Sequence, residues 1–210
     1  MHTTFFSTCS AFLGVCCIAA GDLHAVATAV KRRIDEGELN HIFIFDDMTS
    51  EPVEIDFRGS LKAVLSRLPQ SIVQESDVES EAVARTPGRP KLGVTAREVT
   101  LLPRHWAWLA AQSGGASVAL RKLVEEASRA NESKDRVKRA QEATYRFMSA
   151  MAGNLPSYEE AVRALFAGQP EQFGAITETW PVDVRDHARM LALRAFGVVD
   201  IFVTKSPIKE

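Results

Sequence analysis

A chain of 210 residues with 46% hydrophobic and 25% charged side chains has the composition of an ordinary globular protein, which excludes a disordered or fibrous class. Its formal net charge of -2 conceals an asymmetry: residues 1–84 carry 6 basic and 13 acidic side chains, residues 85–140 carry 12 and 5, and residues 141–210 carry 7 and 9. A middle block this basic attracts polyanions, because each cation that meets a phosphate displaces a condensed counterion, unless it is spent neutralising the acidic N-terminal part.

The apolar start, FFSTCSAFLGVCCIAAG, lacks the Lys/Arg region of a secretory signal, and it is too short and interrupted to span a bilayer. It reads as a β-hairpin turning near Gly14. Residues 22–37 place Leu23, Val26, Val30 and Ile34 on one helical stripe, with Asp22 as cap and Gly37 as stop. HIFIFDDMTSEPVEIDFRG reads as two strands about a polar turn: Ile42 to Phe45 run apolar, and Val53, Ile55 and Phe57 alternate with carboxylates. Ser60 then caps a short helix carrying Leu61, Val64 and Leu65. Residues 7–68 therefore predict a small β-β-α-β-β-α unit. Residues 69–93, acidic and then basic with Pro87, Gly88 and Pro90, read as a linker.

From residue 94 to 197 the pattern predicts a strand followed by a mostly helical half, and so an α+β protein overall. Residues 94–102 are extended, and Pro103 suits a helix's first turn. Trp106, Leu109 and Ala110 share a face, Gly114–Gly115 end that helix, and Ser113 or Ser117 caps the next. That next helix has Leu120, Leu123, Val124 and Ala127 as its inner stripe. A further stripe runs from Val137 through Thr144, Phe147 and Met148 to Met151, closed by Gly153. SYEE at 157–160 fits a capping box with Ser157 as cap, Gly168 stops its helix, and Pro181 starts the last one. Residues 198–210 are a β-prone tail without an assignable partner.

The segments GRPKLGVTAREVTLLPRHWAWLAAQSGGASVALRKLVEEA, YRFMSAMAGNLP, EEAVRALFAGQ and WPVDVRDHA resemble the domain of unknown function 2239 family, a bacterial family, as does IFIFDDMTSEPVEIDFRGS. The resemblance covers about residues 10–195. It departs around Val15–Cys17 and after Phe196, and it implies organisation alone, not chemistry.

Residues 94–129 hold the element order of ribbon-helix-helix proteins. In those dimers two strands pair into a ribbon that enters the major groove, and a helix N-terminus meets a phosphate. Counting back from Leu102 puts Glu98 and Thr100 inward. The opposite register buries Val99 and Leu101 but leaves no cation on the outer face, so the alternation fits that fold imperfectly. PGRPK at 87–91 has part of the extended Arg–Pro segment that minor-groove arms use, with Pro87 where the full motif has Arg.

Candidate chemistry elsewhere is thin. Asp183 and His187 stand i,i+4 but have no third metal ligand at motif spacing, and they read as a solvated helix face. Asp46–Asp47 precede a turn that an Asp can hold by bonding its own backbone, and Trp106/Trp108 read as core or interface. Cys9, Cys16 and Cys17 make a poor disulfide framework and no zinc spacing, as fits reduced thiols in the cytoplasm. With no phosphate loop, nucleophile elbow or Cys/His dyad, the balance leans away from an enzyme, and no catalytic residue, metal, cofactor, membrane or small-molecule ligand is inferred. The leading expectation is a DNA-binding or transcription-regulating homodimer acting through residues 85–129, with Arg89, Lys91, Arg97, Arg104, Ser117, Arg121 and Lys122 at the nucleic acid. The alternative is an interaction or scaffold protein whose basic segment meets its own acidic N-terminal unit.

Overall fold

Phe12 and its neighbours in the opening hairpin are buried on both sides, and the architecture follows from that. The computed structural model describes residues 8–37, 41–69, 95 and 97–197. Strand β1 (Cys9–Leu13) turns at Gly14, where φ is +58°, into β2 (Cys16–Gly21). A bulge falls between Ala11 and Phe12, so Ala11 faces Ala19 while Phe12 faces Cys17. Helix α1 (Leu23–Asp35) follows, capped as its sequence predicts: the Asp22 carboxylate accepts the Ala25 N–H at 2.9 Å. Strand β3 (Ile42–Asp46) pairs antiparallel with β1 on its other edge, giving the order β2-β1-β3.

The period-two alternation of these strands sorts the core into two layers. Cys9, Ala11 and Ile44 meet Leu23, Val26 and Val30 of α1. Phe12 and Phe45 face the other way, into a larger core built by helices from the far end of the chain. The predicted fourth strand is reduced to one bridge, Phe45 to Pro52, flanked by the Asp46 N–H to Glu51 carbonyl bond at 3.0 Å and the Val53 N–H to Ile44 carbonyl bond at 2.8 Å. Pro52 stands at a non-hydrogen-bonded position of that bridge, where its missing N–H costs nothing. The alternation was nonetheless meaningful, because Val53, Ile55 and Phe57 pack inward against the α1 layer. Helix α2 (Leu61–Arg67) carries the Ser60 cap on the Ala63 N–H.

Two compact units result: residues 1–71 together with 132–210, and residues 72–131. The described part of the second unit holds residues 97–102, which lie in no ladder, then helix α3 (Pro103–Ala110) and the start of α4 (Gly115–Met151). The sequence presents two apolar stripes on either side of Asn131–Arg136, but one 37-residue helix carries both. The polar run between the stripes holds no Pro or Gly, so nothing interrupts the backbone bonds, and exposed pairs such as Glu132–Arg136 at 4.0 Å line its surface.

In the first unit the C-terminal stretch of α4 packs against α5 (Tyr158–Phe166), α6 (Pro170–Thr177) and α7 (Val182–Ala195). Phe147 lies 5.3 Å from Phe12 and 5.4 Å from Phe45, ring centre to ring centre, and joins the sheet to the helices. Buried Thr144 satisfies its hydroxyl on the Ala140 carbonyl at 2.8 Å. Trp180 donates its indole N–H to the Pro156 carbonyl at 2.9 Å. Ser157 occupies the cap position of α5 in a left-handed conformation (φ +58°), and its side chain caps nothing; the predicted capping box is not formed, and Glu160 pairs with Arg163 instead. Helix α6, which the sequence reading passed over, begins on Pro170 at its first turn.

Candidate nucleic-acid interface

The second unit starts from residues that favour a helical hairpin. Pro103 sets the first turn of α3, and Gly114 and Gly115, at φ +87° and +74°, take the backbone through a turn that branched residues disfavour. A Cβ on Gly114 would meet the Val118 side chain at 3.1 Å, so that turn also needs a bare backbone. Ser117 lies exposed within the first turn of α4, which begins at Gly115, and is not its cap.

Arg97, Arg104, Arg121 and Lys122 are all exposed, and among the described residues none of them has a carboxylate partner. Arg89 and Lys91, with the rest of the PGRPK segment, lie outside the described residues. Leu101 is half-buried, whereas Val99 and Leu102 are exposed.

The apolar side chains of this unit are the more informative group. Leu109 and Ala119 are buried, but Trp106, Trp108, Leu123 and Val124 are exposed, Val124 by 64% and Trp108 by 53%. Of the core and interface readings of Trp106 and Trp108 the core one is corrected, as is the expectation that Leu123, Val124 and Ala127 form an inner stripe. Among the described residues of this unit, Leu109 and Ala119 are the buried apolar side chains.

The first unit places the remaining candidates differently. Asp46 holds the turn after β3 as predicted: its Oδ1 accepts the N–H groups of Met48 and Thr49, both at 2.8 Å. The solvated-face reading of Asp183 and His187 is corrected. Asp183 accepts the Cys17 backbone N–H at 2.8 Å, tying α7 to β2. His187 is buried against Phe12 and Phe147, at 5.3 and 4.4 Å between ring centres. Burial pushes its imidazole below the ordinary range, with nearby Asp47 opposing and Arg194 reinforcing that shift. Its Nε2, together with Asp47 Oδ1 and Ser50 Oγ, is buried without a hydrogen-bond partner among the described residues.

Sequence reading missed a second concentration of cations, in the first unit. Arg136, Arg139 and Arg146 line one side of α4 and meet Arg194 from α7 across a cleft. The spacing of three and seven along α4 is a readable stripe, but Arg194 joins it only through the tertiary fold. Among the described residues no group of three or more His, Cys, Asp or Glu side chains could hold a metal ion, and no helix is long and apolar enough to cross a membrane.

This combination defines an α+β protein: a three-stranded sheet layered between helices, with a separate basic helical hairpin. The chain belongs to the family described as "Uncharacterized protein conserved in bacteria (DUF2239)", which matches residues 8–192. No curated protein and no solved structure matches it.

Proposed function

We propose that this protein binds DNA in the cytoplasm as a homodimer, through the basic segment 85–129, and acts as a transcriptional regulator. The observation that carries the reading is the pairing of two unmet needs on one hairpin. Among the described residues, Arg97, Arg104, Arg121 and Lys122 are exposed without carboxylate partners, while Trp106, Trp108, Leu123 and Val124 are exposed. A second copy that covers the apolar side chains leaves the cations for phosphates, the division of labour that dimeric DNA-binding modules use. Ser117, in the first turn of α4, is positioned where a helix N-terminus favours an anion. Residues 97–102 form no ladder with the described residues, and in this reading they pair with the partner copy.

The test is a duplex-DNA titration by fluorescence anisotropy at several salt concentrations. Affinity falls with salt at a log–log slope of about -0.9 per phosphate contact. Replacing Arg121 and Lys122 with Ala flattens the slope by about two units, as does replacing Arg89 and Lys91. Absence of binding at low salt overturns the reading. The exposed apolar side chains also favour a second reading, a protein-interaction or scaffold role without nucleic acid; dimerisation or partner binding that survives with no DNA affinity selects it.

A further inference from the structure

The arginine cleft of the first unit has a volume of about 870 Å³, within the ordinary range of small-molecule sites. It lies between the second half of α4, the turn after β3 and the end of α7. Val137, Ala140, Ala143 and Leu191 form an apolar floor, of which Ala140, Ala143 and Leu191 are buried. Four arginines share the lining with that floor: Arg136, Arg139, Arg146 and Arg194.

The charges in the cleft do not balance. Its carboxylates are Glu51 and Glu142, and Glu142 already faces Lys138 at 3.9 Å. Arg139, Arg146 and Arg194 have no carboxylate within 4.0 Å among the described residues. Two of them are held in place by neutral acceptors instead. Arg146 donates Nη1 to the Thr49 carbonyl, and Arg194 donates Nη1 to the Asp47 carbonyl at 2.8 Å. Each bond engages one nitrogen of a five-donor fork, leaving N–H groups of a fixed guanidinium for an oxyanion. A positioned arginine loses less freedom on meeting a carboxylate or phosphate than one swinging in solvent.

We propose that this cleft is a binding site for a small organic anion, with an oxyanion head, carboxylate or phosphate, on the arginines and an apolar body on the Val137–Leu191 floor. Nucleic-acid backbone fits it less well, because phosphate contacts need no apolar floor. The site rests on the first unit alone and stands or falls apart from DNA binding by the second.

The experiment is isothermal calorimetry on the full chain with four probes, paired with amide shifts in a two-dimensional NMR spectrum. 4-Phenylbutyrate and phenyl phosphate supply head and body, 4-phenylbutan-1-ol supplies the body, and inorganic phosphate supplies the head. At least one complete probe is expected to saturate one site about tenfold more tightly than either half alone, the scale of one charge-assisted hydrogen bond. The shifts are expected at Val137, Ala140, Ala143 and Leu191. Arg139→Gln weakens that binding about tenfold; among the described residues its side chain bonds to the Asp135 carbonyl, within its own helix, so the fold is not at risk. Arg194→Lys, which keeps the charge and loses the fork, weakens it as well. Equal binding of the alcohol, equal binding of inorganic phosphate, shifts confined to residues 97–131, indifference to Arg139→Gln, or no saturable binding each overturns the proposal.

Discussion

Replacing Phe147 with Ala tests the central claim of the fold, that the second half of α4 closes the exposed face of the N-terminal sheet. Phe147 is fully buried and touches three rings: Phe12 at 5.3 Å, Phe45 at 5.4 Å and His187 at 4.4 Å. Loss of its buried apolar surface costs about 2 kcal/mol on transfer grounds. Loss of edge and tilted ring contacts adds about 1 kcal/mol. The cavity left among β1, β3 and α7 adds about another, because strands tied by ladders cannot collapse into it, for a total near 4 kcal/mol. For a unit of this size that lowers the melting midpoint by roughly 8–16 °C. The assay is urea unfolding followed by near-ultraviolet and far-ultraviolet circular dichroism, with Phe147→Leu as a control that costs under about 1.5 kcal/mol. A loss below about 1 kcal/mol for the alanine variant would show that the sheet and α4 do not share a core.

The buried imidazole gives a pH dependence of definite sign. His187 is held below its ordinary value of 6.5, so the unfolded chain takes up a proton before the folded one does. Stability is complete above about pH 6.5 and declines as pH falls from there toward the folded value; His187→Leu removes that part of the slope, and an unchanged slope by chemical denaturation refutes the placement. Thiol chemistry separates the cysteines. Burial, reinforced by Asp46, Asp47 and Asp22, pushes Cys9 up to about 11, while Cys16 is exposed. Near pH 8 the Cys9 thiolate fraction is about one in a thousand, so an Ellman titration is expected to label Cys16 quickly and Cys9 only in denaturant. Val124→Glu distinguishes a monomer from a dimer. At a position 64% exposed it changes monomer stability by less than about 0.5 kcal/mol, yet it is expected to dissociate the proposed dimer in sedimentation equilibrium. Sedimentation identical to the parent chain argues that the hairpin face is not the dimer contact.

The legible parts of this protein are those governed by neighbours in sequence. Asp22 and Ser60 cap their helices because a short polar side chain reaches an N–H three residues on. Gly14 turns the hairpin, and Pro103 stands in a first turn, because backbone angles and a missing donor are local properties. The same locality explains three misreadings. Val53, Ile55 and Phe57 alternate like a strand, but their alternation records packing against the α1 layer, and the pairing with β3 is one bridge at Pro52. Ser157 has the cap's identity without its backbone conformation. The polar run from Asn131 to Arg136 looks like a gap between two helices, but polarity alone does not end a helix.

The candidate sites divide in the same way. Arg97, Arg104, Arg121 and Lys122 were visible as a charge block, since charge is additive along a chain. The arginine cleft was only half visible: α4 displays Arg136, Arg139 and Arg146, but Arg194 arrives from 48 residues beyond Arg146. His187 is the clearest case. Its i,i+4 relation to Asp183 reads as a wet helix face, and only the packing of α7 on Phe12 and Phe147 makes it a buried neutral ring. Sequence by itself determined the α+β class, the hairpin, the caps and the acidic-to-basic division, because these follow from local angles, periodicity and summed charge. The tertiary structure decided which face of each element is covered, because burial depends on contacts between residues more than a hundred positions apart.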